Sequence, residues 1–426
     1  MKKEENKMEK IVSLAKRRGF VYQGSEIYGG LAGTWDYGPY GVELLKNIKN
    51  SWWDANVYKK DAMYAIDSAI FKDPRVWDAS GHTSGFSDPL AECKECNFRL
   101  RVDKALESVG ISADEKMSEV EINKLFDENK EKIKCEKCGK SNFSQAQAFN
   151  LLVKSNLGDF TSEGKESIYL PGEASQGIYL NYKNIIDSMH PQLPFGIAQI
   201  GKTFRNEISP RNFLFRTREF EQADTQLFIR PNENKEAYEL IKKERWQWYL
   251  DLGIKEENLR WKQHENLVFY ASDAWDIEYN FPTGFDEVEG IHDRTNYDLT
   301  QHSKHSGVDL SYVDPSSGEK FIPWILETSM GIGRIFFAVL SESYTEDELN
   351  GEKRVYLKFK PNIAPVKVAV FPLLKNKPEL VKKAREVYEM IRKEISQTMF
   401  DDNGNIGKRY RRQDEIGTPN CITVDF

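Results

Sequence analysis

Residues 201–228, GKTFRNEISPRNFLFRTREFEQADTQLF, concentrate the side chains that bind phosphate, stack on a base and hold a cation. The stretch holds four arginines, three carboxylates after the loop and one aromatic anchor: Arg205, Arg211, Arg216, Arg218, Glu219, Glu221, Asp224 and Phe220. Guanidinium groups grip phosphate oxygens bidentately, and an aromatic ring offers a face to a base. The pattern predicts a nucleotide site without a glycine-rich loop. A hairpin with a solvated charged turn is the competing interpretation.

Four of the five cysteines form two Cys-x2-Cys pairs, Cys93 with Cys96 and Cys135 with Cys138. A two-residue gap lets both thiolates of a tight turn face one ion, and Gly139 suits such a turn. The pattern predicts a structural Zn²⁺ site, and the long interval between the pairs predicts helices of its own. Reduced cysteines without metal and a redox pair remain as alternatives.

The elements that must position these groups follow from hydrophobic periodicity and breakers. Helices are predicted at 42–57, 181–189, 233–252, 331–343 and 378–396. Strands are predicted at 62–70, 168–181, 197–228, 366–371 and 421–426. The prolines of KFKPNIAP mark 358–365 as a linker.

The charge of the 426 residues is unevenly distributed. Residues 351–426 hold 16 Lys/Arg against 10 Asp/Glu, whereas residues 1–350 hold 44 against 57. A basic module on an acidic body is expected when one domain handles nucleic acid, although a merely basic surface is the alternative. No apolar run reaches membrane-spanning length, and the charged N-terminus is unlike a secretory signal, so the sequence predicts no membrane and a cytoplasmic location.

Several ordered segments resemble the class II aminoacyl-tRNA synthetases, and among them the dimeric glycyl-tRNA synthetases. They are SEIYGGLAGTWDYGPYGVELLKNIKNSWW, residues 196–228, GFDEVEGIHDRTNYDLTQHSKHSGVDLSY, ETSMGIGRIFF and the tail GKRYRRQDEIGTPNCITVDF. Residues 42–70 resemble motif 1, which builds the dimer interface, and the Trp52-Trp53 region is a predicted contact there. FRNE…RTREF resembles motif 2, ETSMGIGR resembles motif 3, and the tail resembles the anticodon-binding domain.

The resemblance implies an α+β fold, with an antiparallel sheet flanked by helices, a zinc-knuckle insertion and a C-terminal α/β anticodon-binding domain. The implied domains are residues 1–86 and 151–352 for the catalytic core, 87–150 for the zinc-binding insertion and 361–426 for the anticodon-binding domain. A helical insertion is expected at about 229–265, and the tail is expected to stop before the last strand and helix of its domain.

The implied activity is the ATP-dependent ligation of glycine to tRNA(Gly) through a glycyl-adenylate. ATP as substrate, Mg²⁺, structural Zn²⁺, glycine, tRNA(Gly) and a homodimer follow from the same resemblance. A catalytically inactive, nucleic-acid-binding accessory subunit is one alternative, and a synthetase for another small amino acid is the other. Arg205, Glu207, Phe220, Glu327 and Arg334 together argue against the first, and DEVEGIHDRTNYDL and EFEQAD argue against the second.

The family's nucleotide contacts map onto motif 2, the DEVEG strand and motif 3. Arg205 would hold the α-phosphate and the attacking carboxylate, Phe220 would stack on adenine, and Arg334 at a helix start would meet the γ-phosphate. Glu287 would face ATP or Mg²⁺ with Glu289 as its neighbour, the alternative being two exposed acids. The implied catalytic residues are Arg205, Glu207 and Arg334. The implied ATP-binding residues are Arg205, Asn206, Glu207, Phe215, Arg216, Thr217, Arg218, Glu219, Phe220, Glu287, Val288, Gly331, Ile332, Gly333 and Arg334.

Glycine has no side chain, so its site must exclude one methyl group and bind the ammonium firmly; one methyl is worth roughly 1–3 kcal/mol. Three acids around a small cation, Glu173, Asp224 and Glu327, suit that task, and the alternative is structural acids paired with arginines such as Arg294. The implied glycine-binding residues are Arg101, Glu173, Phe220, Glu221, Gln222, Ala223, Asp224, Glu327, Thr328, Ser329, Met330 and Gly331.

The chain departs from the family's pattern at four places. Pro171-Gly172-Glu173-Ala174-Ser175 stands where the family usually has Arg-Pro-Glu-Thr-Ala, and Asp224 stands where it usually has Glu. Gly333 replaces an acid before the motif 3 arginine, and the motif 1 proline is displaced to Pro74. These departures bear on the glycine contacts rather than on ATP binding.

Overall fold

The computed structural model describes residues 6–111, 117–157, 166–208, 210, 212–264, 271–349 and 351–426. Arg211, which the sequence places among the phosphate-gripping arginines, lies outside the described residues. None of the described helices is long and apolar enough to cross a membrane.

The described residues form both strands and helices. The strands are β1 Val21–Gln23, β2 Trp35–Tyr37, β3 Met63–Ala65, β4 Ser87–Glu92, β5 Arg99–Arg101, β6 Gln147–Asn150, β7 Lys154–Leu157, β8 Glu166–Tyr169, β9 Phe195–Phe204, β10 Glu219–Ile229, β11 Leu259–Gln263, β12 Asp273–Phe281, β13 Gly284–Thr295, β14 Tyr312–Val313, β15 Lys320–Phe321, β16 Trp324–Gly331, β17 Tyr344–Leu349, β18 Glu352–Leu357, β19 Val368–Pro372, β20 Thr398–Phe400 and β21 Asn420–Val424. The α-helices are α1 Lys7–Arg17, α2 Pro39–Trp53, α3 Arg75–Ala79, α4 His82–Gly85, α5 Val102–Glu107, α6 Glu119–Asn129, α7 Ser175–Met189, α8 Asn234–Leu252, α9 Tyr297–Ser306, α10 Ile332–Ser343, α11 Pro378–Glu394 and α12 Ile406–Ile416. Two short 3₁₀ segments and one π-helical segment join them: Glu26–Tyr28, Glu256–Asn258 and Asp54–Tyr58.

A seven-stranded sheet organises the chain, in the order β11-β12-β13-β16-β10-β9-β3. All neighbours are antiparallel except β3, which runs parallel to β9 at the edge. β9 and β10 form one long hairpin, whose pairing runs from Phe204 opposite Glu219 to Phe195 opposite Phe228. The predicted α+β class with an antiparallel sheet flanked by helices is confirmed.

Each central strand changes character along one face. On β10, Phe228 is buried in a cluster with residues of α7 and α9, and Ile325 of β16 lies opposite it in the same cluster. Two residues further along each strand the same face becomes polar, at Gln226 and Glu327. Because side chains alternate across a strand, this switch leaves a polar cleft beside a packed apolar end. The opposite face is covered by the larger core, to which α1, α2, α8 and α10 contribute.

Some local predictions are corrected by tertiary packing. The strand predicted for 168–181 ends at Tyr169, and α7 begins at Ser175, because buried Ile178, Tyr179 and Tyr182 follow a helical spacing. Of the strand predicted at 62–70 only Met63–Ala65 pairs with the sheet. Helix α2 begins at Pro39 rather than at 42.

Burial limits the predicted dimer contact in the Trp52-Trp53 region. The Trp52 side chain is fully buried within the core of its own chain, packed among helix and sheet residues. Trp53 is only partly buried, so a dimer contact in this region stays a prediction.

The region around the cysteines has a hydrophobic core of its own. Its buried members are Ala91, Cys93, Leu100, Val102, Leu106, Ile122, Phe126, Ile133, Cys135, Phe143 and Ala146. The helices predicted between the two cysteine pairs are present as α5 and α6.

The tail forms a three-stranded parallel sheet, β20-β19-β21, with α11 and α12. Polar contacts fix it to the first helices of the chain. Arg17 pairs with Glu415 at 2.7 Å, and the Gln397 amide donates to Glu43 at 2.6 Å. The predicted elements β19, α11 and β21 are confirmed, whereas β20 and α12 were not predicted.

Candidate active site

The polar side of the large sheet holds an open cleft with about 100 Å³ of space that water can occupy. It is lined by Arg205, Glu207, Leu214, Phe215, Arg216, Thr217, Phe220, Gln222, Glu287, Ser329, Gly331, Gly333 and Arg334. All of these except Leu214 were predicted as site residues. The structure thus brings the hairpin, the middle of β13 and the end of β16 to one place.

Arg205 projects into this cleft from the end of β9. Its guanidinium lies over two aromatic rings, 5.1 Å from the centre of Phe86 and 5.4 Å from that of Phe220, and its Nε donates to the Gly172 carbonyl at 3.2 Å. Burial and the like charge of Arg334 lower the pKa of Arg205. Among the described residues no carboxylate pairs with it within 4 Å. An anion in the cleft would therefore offset the repulsion between two arginines.

Two further arginines of the cleft are each paired with an acid. Arg216 Nε lies 3.3 Å from Glu207 Oε2. Arg334 Nη1 lies 3.1 Å from Glu287 Oε2, and the Arg334 guanidinium covers the Phe215 ring at 4.4 Å. These pairs hold the guanidinium groups in position at the wall of the cleft.

The other predicted motif 2 residues shape the loop. Arg218 Nε donates to the Glu207 carbonyl at 2.9 Å, and the Thr217 hydroxyl donates to the Glu219 carbonyl at 3.1 Å. Glu219 is exposed and pairs with Lys202 at 2.8 Å, outside the cleft lining. The exposed Asn206 donates its backbone N–H to Leu151 at 2.7 Å. The structure does not place the side chains of Asn206, Arg218 or Glu219 in the cleft.

Deeper along the same face, Glu327 is buried and fully occupied by donors. Arg294 Nη1 donates to both of its carboxylate oxygens at 3.1 Å, Gln226 Nε2 donates at 2.8 Å, and His292 Nδ1 lies 3.0 Å away. Burial raises the pKa of Glu327, but Arg294 and His292 outweigh it and hold that pKa below its usual value. Glu327 is therefore a fixed negative charge.

Glu173 is held in a similar way from the neighbouring loop. Gln176 Nε2 donates to it at 2.7 Å, and His82 Nε2 lies 3.6 Å away. Burial raises the pKa of Glu173, but His82 and Arg294 outweigh burial and hold the pKa well below its usual value.

Asp224 differs from both neighbours. It is fully buried, and within the described part of the chain neither carboxylate oxygen has a hydrogen-bond partner. Burial and the charge of Glu327 raise the pKa of Asp224 well above its usual value. A buried carboxylate without a donor is costly, so this position awaits a cationic or donating group.

The strand pleat removes four predicted residues from the cleft. Four side chains point to the helix-covered face of the sheet: Glu221 and Ala223 on β10, and Thr328 and Met330 on β16. Glu221 pairs with Lys49 of α2 at 2.9 Å, Ala223 and Met330 are in the core, and Thr328 bonds the Thr225 hydroxyl at 2.8 Å. The prediction that these side chains contact a ligand is corrected, because only alternate residues of a strand share a face.

A β-bulge separates the acids of the DEVEG strand. Ile277 lies opposite Glu289 and Glu278 opposite Glu287, so Val288 is the extra residue. Glu287 consequently lines the cleft, whereas Glu289 is fully buried on the opposite face, 2.7 Å from Arg245 Nε. The predicted pairing of Glu287 with Glu289 at ATP is corrected, and Val288 is buried in the core.

Two other predicted residues lie outside the cleft lining. Ile332, at the start of α10, is fully buried in the core. Arg101 is engaged by Asp103 at 2.6 Å and by Asp88 at 3.0 Å. Its guanidinium already has two carboxylate partners and does not line the cleft.

Sequence reasoning missed the residues that hold the buried acids, among them His292 and Gln226. Arg294 was named only as a structural partner. It also binds Asp298 through two bonds of 2.7 and 2.9 Å, and Gln176 joins Glu173 to this group. The signal was available in the alternation of 290, 292 and 294 on β13, which shares a face with Glu327 once the register is fixed.

The four cysteine sulfurs form one cluster, with all ligand atoms within 4.8 Å of one another. Cys93 and Cys138 sulfurs are 3.6 Å apart, as are those of Cys96 and Cys135. Four thiolates around zinc would stand about 3.8 Å apart in a tetrahedron. The donor set and its spacing therefore fit Zn²⁺.

The two cysteine turns repeat one backbone geometry. The N–H of Asn97 bonds the Cys93 carbonyl and that of Gly139 bonds the Cys135 carbonyl, each at 2.8 Å, and both residues have positive φ. Gly139 meets the prediction made for it, while the matching role of Asn97 was not predicted.

The antiparallel sheet, the arginine-bearing hairpin and the arginine at the start of α10 define the class II aminoacyl-tRNA synthetases. The family model "tRNA synthetase class II core domain (G, H, P, S and T)" matches residues 158–343, and the "Anticodon binding domain" model matches residues 367–426. The fold is similar to that of the Giardia lamblia prolyl-tRNA synthetase in complex with prolyl-adenylate. The TM-score is 0.64 at 14% identity, over 97% of this chain and 68% of that one.

Curated relatives narrow the class. The chain is 50% identical to the glycine–tRNA ligase of Clostridium acetobutylicum, covering 100% of this chain and 92% of the relative. It is 48% identical to that of Caldanaerobacter subterraneus subsp. tengcongensis, over 98% and 91%. The chain belongs to the glycine–tRNA ligase family.

Proposed function

We propose that this chain joins glycine to tRNA(Gly) through a glycyl-adenylate, and that the residues of the cleft bind and position ATP and glycine. The observation that carries the proposal is the pair of unmatched charges on one face of the sheet. Among the described residues Arg205 has no carboxylate partner, and neither Asp224 oxygen accepts a formed hydrogen bond, although the nearby Ser329 hydroxyl offsets part of the rise in the Asp224 pKa. An anionic nucleotide would pair with Arg205, and the ammonium group of an amino acid would pair with Asp224. The two ligands would occupy opposite halves of the cleft.

In the first step a carboxylate oxygen of glycine attacks the α-phosphorus of ATP. The bond from that phosphorus to the bridging oxygen breaks, and pyrophosphate leaves with the electron pair. Arg205 faces the place where charge builds up and holds both reactants together, which lowers the barrier by positioning and by electrostatic stabilisation. Arg334 and Arg216 bind the outer phosphates, and Phe220 stacks on the adenine.

The ammonium of glycine would bind at Asp224, with Glu173 and Glu327 as fixed charges nearby. Selectivity against a methyl group comes from rigid neighbours. Gln222 accepts from the Ala174 N–H at 3.1 Å and donates to the Ser329 hydroxyl at 2.5 Å. This amide bridges two elements on the cleft face beside Asp224, so it cannot move aside for a larger substrate.

Mg²⁺ and Zn²⁺ have separate places in the proposal. Mg²⁺ bound with the nucleotide would neutralise charge on the outer phosphates, and Glu287 is the carboxylate of the cleft suited to it. Zn²⁺ would be held by the four cysteines and would stabilise the fold of residues 87–150, with no part in the reaction.

In the second step a hydroxyl of the terminal tRNA ribose attacks the glycyl carbonyl. AMP leaves, and the hydroxyl proton passes to solvent. The basic tail, which matches the anticodon-binding model, is the proposed contact for the anticodon arm. A cytoplasmic location is part of the same proposal.

A homodimer belongs to the same proposal. β3 is the edge strand of the large sheet, and the residues that follow it include Ile70 and Phe71, which are 40% and 58% exposed. An edge strand beside exposed apolar side chains is suited to pairing with a second copy. A Phe71→Glu variant is expected to shift the mass measured by light scattering from dimer to monomer.

ATP–pyrophosphate exchange, measured with Mg²⁺ and each of the twenty amino acids, tests the reaction. Exchange with glycine alone is expected. The absence of exchange with every amino acid would overturn the proposed enzymatic activity and would favour a catalytically inactive accessory subunit. Exchange with alanine or serine would overturn the pocket assignment.

Zinc at the cysteines is tested by its release. Titration of the protein with a mercurial thiol reagent should release one zinc per chain, detected with a chromogenic chelator. A Cys138→Ser variant should release less than one, and Cys421→Ser, outside the cluster, should behave like wild type. Equal release from all three proteins would contradict the assignment.

A further inference from the structure

Three side chains with metal-ligating atoms converge beside the amino-acid pocket, and none of the three has a role in the proposed reaction. They are His264, just after β11, Asp276 on β12 and His292 on β13. Their ligand atoms all lie within 4.8 Å of one another. His264 Nε2 is 2.7 Å from Asp276 Oδ2, and the two imidazole rings are nearly perpendicular, with centres 6.1 Å apart.

Gly290 leaves the space into which this group points. A Cβ at Gly290 would lie 3.0 Å from His292 Nε2 and 3.6 Å from Asp276 Oδ1. The backbone of Gly290 does not have positive φ, so its conformation does not require glycine. The His292 and Asp276 side chains, on neighbouring strands, thus both approach Gly290. A larger residue at that position would crowd them.

His292 is oriented in the way that metal-ligating histidines are. Its Nδ1 lies 3.0 Å from Glu327 Oε1, and a proton donated there leaves the Nε2 lone pair pointing towards Asp276. A carboxylate behind the imidazole fixes the ring and raises its basicity as a ligand. Glu327 is itself fixed by Arg294, so the orientation is rigid.

The donor set decides the kind of ion. Two imidazoles and one carboxylate suit Zn²⁺ and other first-row transition ions, whereas Mg²⁺ and Ca²⁺ prefer oxygen ligands alone. Three protein ligands leave a coordination position open to water. The His264 side chain is 37% exposed and that of His292 is 20% exposed, so an ion can reach the group from solvent.

We propose that His264, Asp276 and His292 form a second site for a divalent transition ion, separate from the four cysteines. Because His292 binds the same carboxylate as the amino-acid pocket, occupancy of this site is coupled to the affinity for glycine. The coupling rests on the proposed function, whereas the site itself does not.

The binding test uses the full protein with one zinc per chain already at the cysteines. Isothermal titration with Zn²⁺ should show one further equivalent in the wild type. His264→Gln should weaken that binding by about tenfold or more, since it removes one of three ligands. Gly290→Ala, which crowds the site but keeps its ligands, should weaken it as well. His305→Gln, an exposed histidine on α9, is the matched control and should bind like wild type.

Two outcomes would overturn the site. One is the absence of a second equivalent in the wild type, and the other is an equivalent that His264→Gln retains with unchanged affinity. Neither depends on aminoacylation, so failure of the site and failure of the proposed function are distinguishable. Circular dichroism of each variant separates loss of a ligand from loss of the fold.

The coupling is tested by steady-state exchange with and without added Zn²⁺. The KM for glycine should change in the wild type and in His305→Gln, and it should stay constant in His264→Gln. The same KM with and without the ion in the wild type would overturn the coupling.

Discussion

The two halves of the cleft handle charge in opposite ways. In the nucleotide half, two arginines are paired with Glu207 and Glu287, and Arg205 is the cation without a carboxylate partner among the described residues. In the amino-acid half, Glu173 and Glu327 are held by donors, whereas neither Asp224 oxygen accepts a formed hydrogen bond from the described part of the chain. The first half is partly open to water, whereas Asp224 is fully buried.

This difference indicates which half of the cleft can distinguish one amino acid from another. The Arg205 guanidinium stays charged even though burial and Arg334 lower its pKa, because the pKa of arginine lies far above neutral and two aromatic rings stabilise the cation. A fully buried carboxylate is destabilised until a cation arrives, so its interaction with that cation is strong and sensitive to fit. The nucleotide half therefore supplies positioning, and the buried half distinguishes amino acids.

The largest effect is expected when the unpaired cation is removed. Arg205→Ala should lower kcat/KM in exchange by roughly 10²- to 10³-fold, because a preorganised donor at the reacting phosphate is lost. Arg216→Ala, which removes a paired arginine at the wall, should cost about tenfold at most. Equal losses in the two variants would remove the distinction between paired and unpaired cations.

The two acids beside the bulge separate activity from stability. Glu289→Gln should lower the free energy of unfolding by about 3 kcal/mol, because Arg245 is left buried without its partner charge. Glu287→Gln should change that free energy by less than about 1 kcal/mol, since the Glu287 side chain is 44% exposed and an ion pair at the surface is worth little. It should instead slow exchange. Urea unfolding and exchange kinetics of both variants measure this, and a reversed order would contradict the bulge assignment.

The unpaired acid should show a different signature. Asp224→Asn should lower kcat/KM for glycine by roughly 30- to 100-fold, mainly through KM, because the ammonium loses its counter-charge. The same change should leave the unliganded protein as stable or more stable, since a buried charge is removed. Asp224→Glu, which keeps the charge, is the control. A loss of stability in Asp224→Asn would show that Asp224 is a structural acid.

The smallest effect expected is a pH dependence that belongs to Asp224. Burial raises its folded-state pKa above the unfolded value near 3.8, so between these values the folded protein holds a proton that the unfolded chain releases. Its contribution to the free energy of unfolding is complete below the unfolded pKa and falls as pH rises through the folded pKa.

The difference in unfolding free energy between wild type and Asp224→Asn should therefore decline from about pH 4 upwards. Added glycine should restore stability at the higher pH values, where the carboxylate is ionised. Thermal and urea unfolding with and without glycine measure both trends, and a difference independent of pH would contradict the raised pKa.

The nucleotide half was predictable from residue types, because arginines and phenylalanines at close spacing carry their chemistry with them. Arg205, Arg216, Phe220 and Arg334 reach one cleft as expected. The amino-acid half was predictable only in part. Runs of consecutive residues were assigned to glycine, whereas the pleat admits only alternate ones, as Ala223 shows.

The contacts that the sequence could not predict depend on the register between strands that are distant in the chain. His292 meets Glu327 only because β13 and β16 pair in one particular alignment. An apolar pattern also could not reveal α12, whose buried residues include Arg409 and Gln413. Such elements are fixed by hydrogen bonds across the fold rather than by local periodicity.

Val288 gives a strand irregularity a role in the site. As the extra residue of β13, it lets Glu287 and Glu289, which regular alternation would put on one face, point to opposite faces. Deleting it would leave the two acids as consecutive residues of a regular strand, and each would keep its face. Glu287 at the cleft and Glu289 beside Arg245 are thus compatible with a strand one residue shorter, so a deletion can probe the bulge as well as a substitution can.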